Sequence, residues 1–113
     1  MKEKRINILG SEWTIKEQSE SENEKLKGCD GYADWTIKEI VVEREMRGTL
    51  DDMEKYVRKV LRHEIVHAFL AESGLYECSG EVESWALNET MVDWIARQGQ
   101  KIYRAWQEAG ALD

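Results

Sequence analysis

The stretch VLRHEIVHAF, residues 60–69, contains the only two histidines of the chain, His63 and His67, with Glu64 beside the first. In an α-helix, residues four positions apart lie on one face, with a rise of about 6 Å between their Cα atoms. If this stretch is helical, the two imidazoles therefore point in the same direction. The flanking sequence decides whether it is.

Apolar residues around the histidines recur at spacings of three and four, which predicts an amphipathic helix. They are Met53, Tyr56, Val57, Val60, Leu61, Ile65, Ala68 and Phe69. Before them, Thr49-Leu50-Asp51-Asp52 predicts an N-cap with an acidic residue three positions on, and Gly74 predicts a left-handed C-cap. We expect a buried helix that holds the two histidines rigidly and partly away from water.

The segment His63-Glu64-Ile65-Val66-His67 has the form HExxH. On a helix, two such imidazoles can bind one zinc ion at about 2.0–2.1 Å each, and the glutamate lies beside the ion. There a carboxylate can take a proton from zinc-bound water. We predict His63 and His67 as metal ligands and Glu64 as the catalytic base.

A catalytic zinc needs a third protein ligand and one open position. The candidates are Glu72, Glu77, Glu81, Glu83 and Glu89. A second helix is predicted over about residues 81–98, and Glu89 and Asp93 fall on its otherwise apolar stripe with Val82, Trp85, Ala86 and Ala96. Because buried carboxylates are costly unless paired or bound to metal, these two are singled out.

The HExxH segment followed by Asn88-Glu89-Thr90-Met91-Val92-Asp93 resembles the gluzincin metallopeptidases, in which HExxH is completed by N-E-x-x-x-D on the next helix. The resemblance covers about half the chain. It implies that Glu89 is the third zinc ligand and that Asp93 orients a metal-bound histidine. In length the chain is similar to the minigluzincins and to small metallopeptidase-like proteins of phages and prophages.

The sequence before the helices predicts strands. Residues 5–9 and 13–17 indicate a hairpin around Gly10, and residues 32–43 indicate a third strand. The pentapeptide WTIKE occurs at 13–17 and 35–39, which we interpret as two similar strands packing on the same helices. A short last helix, residues 100–109, places Ile102, Tyr103 and Trp106 against the core.

These elements predict one α+β, zincin-like domain over residues 1–113. A three-stranded sheet packs on the HExxH helix, with the glutamate helix beneath and the C-terminal helix behind. Residues 36–42 are predicted to form the edge strand that pairs with an extended substrate. Because the chain has no further histidine, the oxyanion would be stabilised by zinc itself, by a tyrosine, with Tyr76 and Tyr103 as the candidates, or by no further group.

The charge and the distribution of apolar residues argue against some classes of partner. A formal charge of −7 argues against nucleic acid, since phosphate binding needs a basic patch. No apolar run of 18 residues predicts a membrane span, and the first residues lack the apolar core of a signal peptide, so we expect a cytoplasmic monomer. Cys29 and Cys78 are expected as free thiols. An alternative has Cys29 capping zinc in a latent form.

The predicted function is hydrolysis of peptide bonds by a Glu64-assisted, zinc-bound water, with one zinc ion per chain and a peptide or protein substrate. Two alternatives stay open. The first is a structural or latent zinc protein of phage or prophage origin. The second is a zinc hydrolase that acts on amides other than peptides. The enzyme is favoured because Glu64 is not needed merely to retain a metal.

Overall fold

The computed structural model describes residues 3–45, 48, 50–78 and 89–113, without the side chains of Tyr76, Cys78, Glu89 and Val92. The predicted α+β class is confirmed. The elements in chain order are strands β1 (Glu3–Ile8) and β2 (Ser11–Gln18), a 3₁₀ turn (Glu24–Leu26), strands β3 (Gly31–Asp34) and β4 (Glu39–Glu43), and helices α1 (Met53–Glu72), α2 (Leu75–Cys78) and α3 (Glu89–Glu108).

The sheet has four strands, not the three predicted, in the order β1-β2-β4-β3. β1 and β2 form the predicted hairpin, β4 pairs in parallel with β2, and β3 pairs antiparallel with β4. The single strand predicted over residues 32–43 is thus two strands joined by a turn. The edge prediction for residues 36–42 was wrong, because β4 is an interior strand and β3 is the edge.

The two copies of WTIKE adopt different structures. The first lies in β2, where Trp13 is 1% exposed, whereas residues 35–38 of the second form the turn between β3 and β4. Asp34 explains the difference, because its side chain accepts hydrogen bonds from the backbone N–H and the hydroxyl of Thr36. Such local side-chain bonds favour a turn over a strand. Lys38 completes the turn with a φ of 53°.

The core lies between one face of the sheet and the helices. Alternation along the strands places Ile6, Ile8, Trp13, Ile15, Ile40 and Val42 in one cluster with residues of α1 and α3. Val41 is buried outside that cluster, as is Leu26 of the 3₁₀ turn. Residues between β2 and β3 therefore contribute buried apolar surface of their own.

Helix α1 has the predicted apolar face, but the N-cap prediction was wrong, because it took Asp52 as the acidic residue three positions after a cap at Thr49, which lies outside the described residues. Its N-cap is Asp52, whose side chain accepts a hydrogen bond of 2.9 Å from the backbone N–H of Lys55. Gly74 follows its end with a φ of 80°, as predicted for a left-handed C-cap. Its buried face comprises Val60, Leu61, Glu64, Ile65, Ala68 and Phe69.

Helix α3 is continuous through Gly99, although two separate helices were predicted on either side of it. Its buried residues are Ile102 and Ala105, and Ala109, directly after its end, is buried as well. Asp93 and Ala96 are exposed, so the described part of the stripe predicted for the glutamate helix is not a buried face. Tyr103, predicted to pack against the core from the last helix, is exposed as well. The earlier part of that prediction, residues 81–88, lies outside the described residues. Within the described part, no helix is long and apolar enough to cross a membrane.

Candidate metal centre and peptide-binding edge

A pocket of about 420 Å³ opens where the edge strand β3 meets α1. Helix α1 contributes His63, Glu64 and His67 to its lining. Gly31 and Ala33 of β3 line the opposite side, and Trp35 stands at the end of that strand. The predicted ligands and base therefore share one cleft with a strand edge.

His63 and His67 converge as their spacing predicts. Their Nε2 atoms are 3.1 Å apart, and the ring planes meet at 73°. Two nitrogens bound tetrahedrally to one zinc ion at about 2.0–2.1 Å would be about 3.3 Å apart, so this separation suits a shared ion. Both side chains are exposed, contrary to the partial shielding we expected. Their nitrogens are accessible from solvent.

Glu64 is the buried member of the group, with 7% exposure. Ligand atoms of His63, Glu64 and His67 all lie within 4.8 Å of one another, and this is the one group of three or more metal-ligating side chains within the described residues. Burial raises the pKa of the Glu64 carboxyl, and the charge of the two histidines opposes that shift. The group can hold a metal ion with a carboxyl beside it.

The close approach of β3 to this carboxyl depends on a glycine. A Cβ built on Gly31 would lie 2.9 Å from the Val41 carbonyl oxygen, 3.2 Å from Val60 Cγ1 and 3.5 Å from Glu64 Cγ. Any side chain at this position would push against the strand and the helix together. Gly31 thus lets the edge strand pack directly on the turn of α1 that carries Glu64.

Among the described residues β3 is the outermost strand, so its outer side can pair with another strand. The N–H of Glu43 donates to the Asp30 carbonyl at 2.9 Å, which makes this a hydrogen-bonded pair. Because such pairs alternate along antiparallel strands, the backbone groups of Gly31 and Ala33 point away from β4. The Gly31 N–H is bonded to the Cys29 thiol, so an extended peptide could bond to the Gly31 carbonyl and to the backbone of Ala33 beside the histidines.

Glu72, one of the candidate third ligands, is occupied elsewhere. Its Oε1 accepts a hydrogen bond of 2.9 Å from Trp13 Nε1 and lies 3.2 Å from Lys38 Nζ. Burial acts to raise its pKa, but hydrogen bonds from Trp13, Lys38 and Ser11 prevail and lower it. Glu72 thereby links β2, α1 and the turn after β3.

The structure does not bring the other predicted carboxylates into the group. Asp93 is 64% exposed at its side chain and forms an ion pair of 2.8 Å with Arg97. Glu77 is exposed on α2. Glu89 begins α3, but its side chain lies outside the described residues, as do Glu81 and Glu83 entirely. The ligand role of Glu89 and the orienting role of Asp93 stay predictions.

Cys29 is a free thiol, as predicted, and its Sγ donates to the Lys25 carbonyl at 3.4 Å. Burial raises the pKa of this thiol, while the N–H of Gly31 opposes the shift. Cys29 is not part of the histidine group, so the geometry gives the capping alternative no support. Of the two tyrosines considered as oxyanion donors, Tyr103 does not line the pocket, and the side chain of Tyr76 is not described.

Sequence reasoning missed the contribution of Gly31 and Trp35 to the pocket. A signal for the turn was present, because an Asp side chain can accept a hydrogen bond from the backbone N–H two residues on and so favour a turn. Had this turn signal at Asp34 been recognised, the predicted strand would have ended at that residue. Trp35 would then have been placed outside the core.

Comparisons of the chain with protein-family models, with curated proteins and with solved structures found no match.

Proposed function

We propose that this protein is a zinc-dependent peptidase. The observation that carries the proposal is a buried carboxyl, Glu64, beside two converging imidazoles in a cleft bordered by a strand edge. A site that only retained a metal would not need this carboxyl. A site that cleaves extended peptides needs the ligands, a base and a means of aligning the backbone.

In this proposal His63 and His67 hold zinc through their Nε2 atoms, and Glu89 completes the ligand set as the resemblance to gluzincins implies. Bound zinc supplies Lewis acidity, which polarises a carbonyl oxygen and makes water more acidic. Glu64 accepts the proton that the attacking water loses and delivers it to the leaving amine. The Gly31 carbonyl and the backbone of Ala33 align the substrate through hydrogen bonds.

The decisive experiment measures cleavage of a mixed peptide library by zinc-loaded protein. Glu64→Gln keeps the size of the side chain but removes the base, so we expect retained zinc and a loss of several orders of magnitude in cleavage. Glu54→Gln, at an exposed position on the same helix, is the matched control and should cleave like the parent.

Two results would contradict the proposal. If the parent binds stoichiometric zinc and cleaves no peptide, a structural or latent zinc protein is the better description. If Glu64→Gln cleaves as fast as the parent, the base is a different group.

A further inference from the structure

We propose that Trp35 forms a subsite for a large apolar side chain. Resting on the peptidase function proposed above, this inference names the substrate class. The substrates are peptides with an aromatic or large aliphatic residue within about three positions of the cleaved bond. Three features of Trp35 support the subsite: its exposure, the anchoring of its turn and its place along the edge strand.

Trp35 is unusually exposed for its size. It has 56% of its surface open to solvent, whereas Trp13 in the identical pentapeptide has 1%. The position therefore does not serve the core, although the same five residues can do so elsewhere in the chain. An exposed indole offers a large, stiff apolar surface, and tryptophan is enriched among residues that dominate binding energy.

The turn that presents Trp35 is anchored at both ends. On one side, the Asp34 carboxylate accepts a 3.0 Å hydrogen bond from the Thr36 N–H. On the other side, Lys38 Nζ contacts Ser11 Oγ at 3.0 Å and Glu72 at 3.2 Å. Because the turn is ordered before a ligand arrives, little conformational entropy is lost when the indole is covered.

Trp35 lies close enough to the histidines and Glu64 to contact a substrate side chain near the cleaved bond. It lines the same pocket as His63, Glu64 and His67. It follows Gly31, which packs on Glu64, by four residues, and at about 3.3 Å per residue of extended chain the two are at most about 13 Å apart. The indole can reach back over part of that distance. A peptide paired with β3 would thus bring a side chain one to three residues from the cleaved bond onto Trp35.

The test compares zinc-loaded parent, Trp35→Ala, Trp35→Phe and Ile37→Ala on a peptide library, with cleavage positions read by mass spectrometry. Ile37 is the matched control, since it lies in the same turn and is 60% exposed but does not line the pocket. We expect the parent and Ile37→Ala to favour large apolar residues. Trp35→Ala should lose that preference, with kcat/KM for an aromatic peptide about tenfold lower, and Trp35→Phe should restore part of it.

A binding measurement separates this inference from the peptidase proposal. Zinc-loaded Glu64→Gln, with Trp35 intact or replaced by Ala, is titrated with two labelled peptides that differ only in Phe or Ala at the favoured position. If no cleavage is observed, the favoured position is not known in advance, and the Phe or Ala is then placed at each peptide position in turn. We expect the Phe peptide to bind about tenfold tighter when Trp35 is present and no tighter when it is absent.

The two proposals fail in different ways. If no peptide is cleaved but the Phe peptide binds more tightly only when Trp35 is present, the peptidase function is overturned and the subsite is supported. Cleavage without a preference for apolar residues, or with a preference that Trp35→Ala retains, would overturn the subsite alone. Absence of both cleavage and selective binding would overturn both.

Discussion

The Nε2 atoms of His63 and His67 lie 3.1 Å apart on one face of α1, within reach of a single ion. We expect one zinc ion per chain and predict that His63→Ala and His67→Ala each abolish stoichiometric binding. Zinc should also raise the free energy of unfolding, by about 2.7 kcal/mol when free zinc is 100 times its Kd. Metal analysis and thermal melting check both effects. Full zinc retention by His67→Ala would contradict this site.

The third ligand is tested by substitutions on α3. We predict that Glu89→Ala lowers zinc affinity far more than Glu72→Ala or Glu77→Ala, because only Glu89 is assigned to the metal.

Asp93→Asn should lower zinc affinity by about 10–100-fold if that carboxylate orients a ligating histidine. Titration with a competing chelator measures each Kd. Unchanged affinity in Asp93→Asn would leave Asp93 as the surface partner of Arg97.

The elements predicted correctly from sequence are those whose pattern is long or local. Helix α1 has eight apolar positions at helical spacing and a glycine after its end, so its place and its two histidines were predictable. The hairpin of β1 and β2 was predictable from the turn around Gly10. In a long periodic segment many positions support the same secondary structure, so one residue that departs from the pattern does not change the prediction.

The errors arose where a few side-chain contacts outweighed the pattern. Asp34 converts an apparently continuous strand into two, and this changes both the strand count and the identity of the edge strand. Gly99 was interpreted as a helix end, but α3 passes through it and buries Ile102 and Ala105 beyond it. Tertiary packing compensates for the helix propensity that one glycine lacks.

The contact between Trp13 and Glu72 should make stability depend on pH. The pKa of Glu72 is lowered in the folded protein, so its ionised form stabilises the fold above the unfolded-state pKa of about 4.3. That contribution is lost as the pH falls through the lowered pKa. We predict that Glu72→Gln lowers stability by about 1 kcal/mol at pH 7 and that the difference from the parent shrinks toward pH 3.

Urea unfolding across this pH range is the measurement for Glu72. Glu77→Gln, at an exposed position on α2, serves as control and should lower stability less at pH 7. A constant difference between parent and Glu72→Gln from pH 7 to pH 3 would show that the charge of Glu72 does not contribute.

The last prediction compares Gly31, whose surroundings are crowded, with Gly99, whose surroundings are open. Gly31→Ala adds a methyl group 2.9 Å from the Val41 carbonyl oxygen and 3.5 Å from Glu64 Cγ, so strand and helix must separate. We expect a loss of about 1–3 kcal/mol in stability, typical of overpacking, and reduced cleavage because Glu64 shifts. Gly99→Ala has no atom within 4 Å of the new Cβ and should stabilise α3 by about 0.5–1 kcal/mol.

Urea unfolding and peptide cleavage, measured on both variants, distinguish a local from a general effect. A Gly31→Ala protein with parental stability and activity would mean that β3 can move away from α1 at no cost. The edge strand would then not be held against Glu64, and its alignment of a peptide with the base would lose its structural support. Activity lost in Gly31→Ala but kept in Gly99→Ala would instead tie catalysis to this contact between strand and helix.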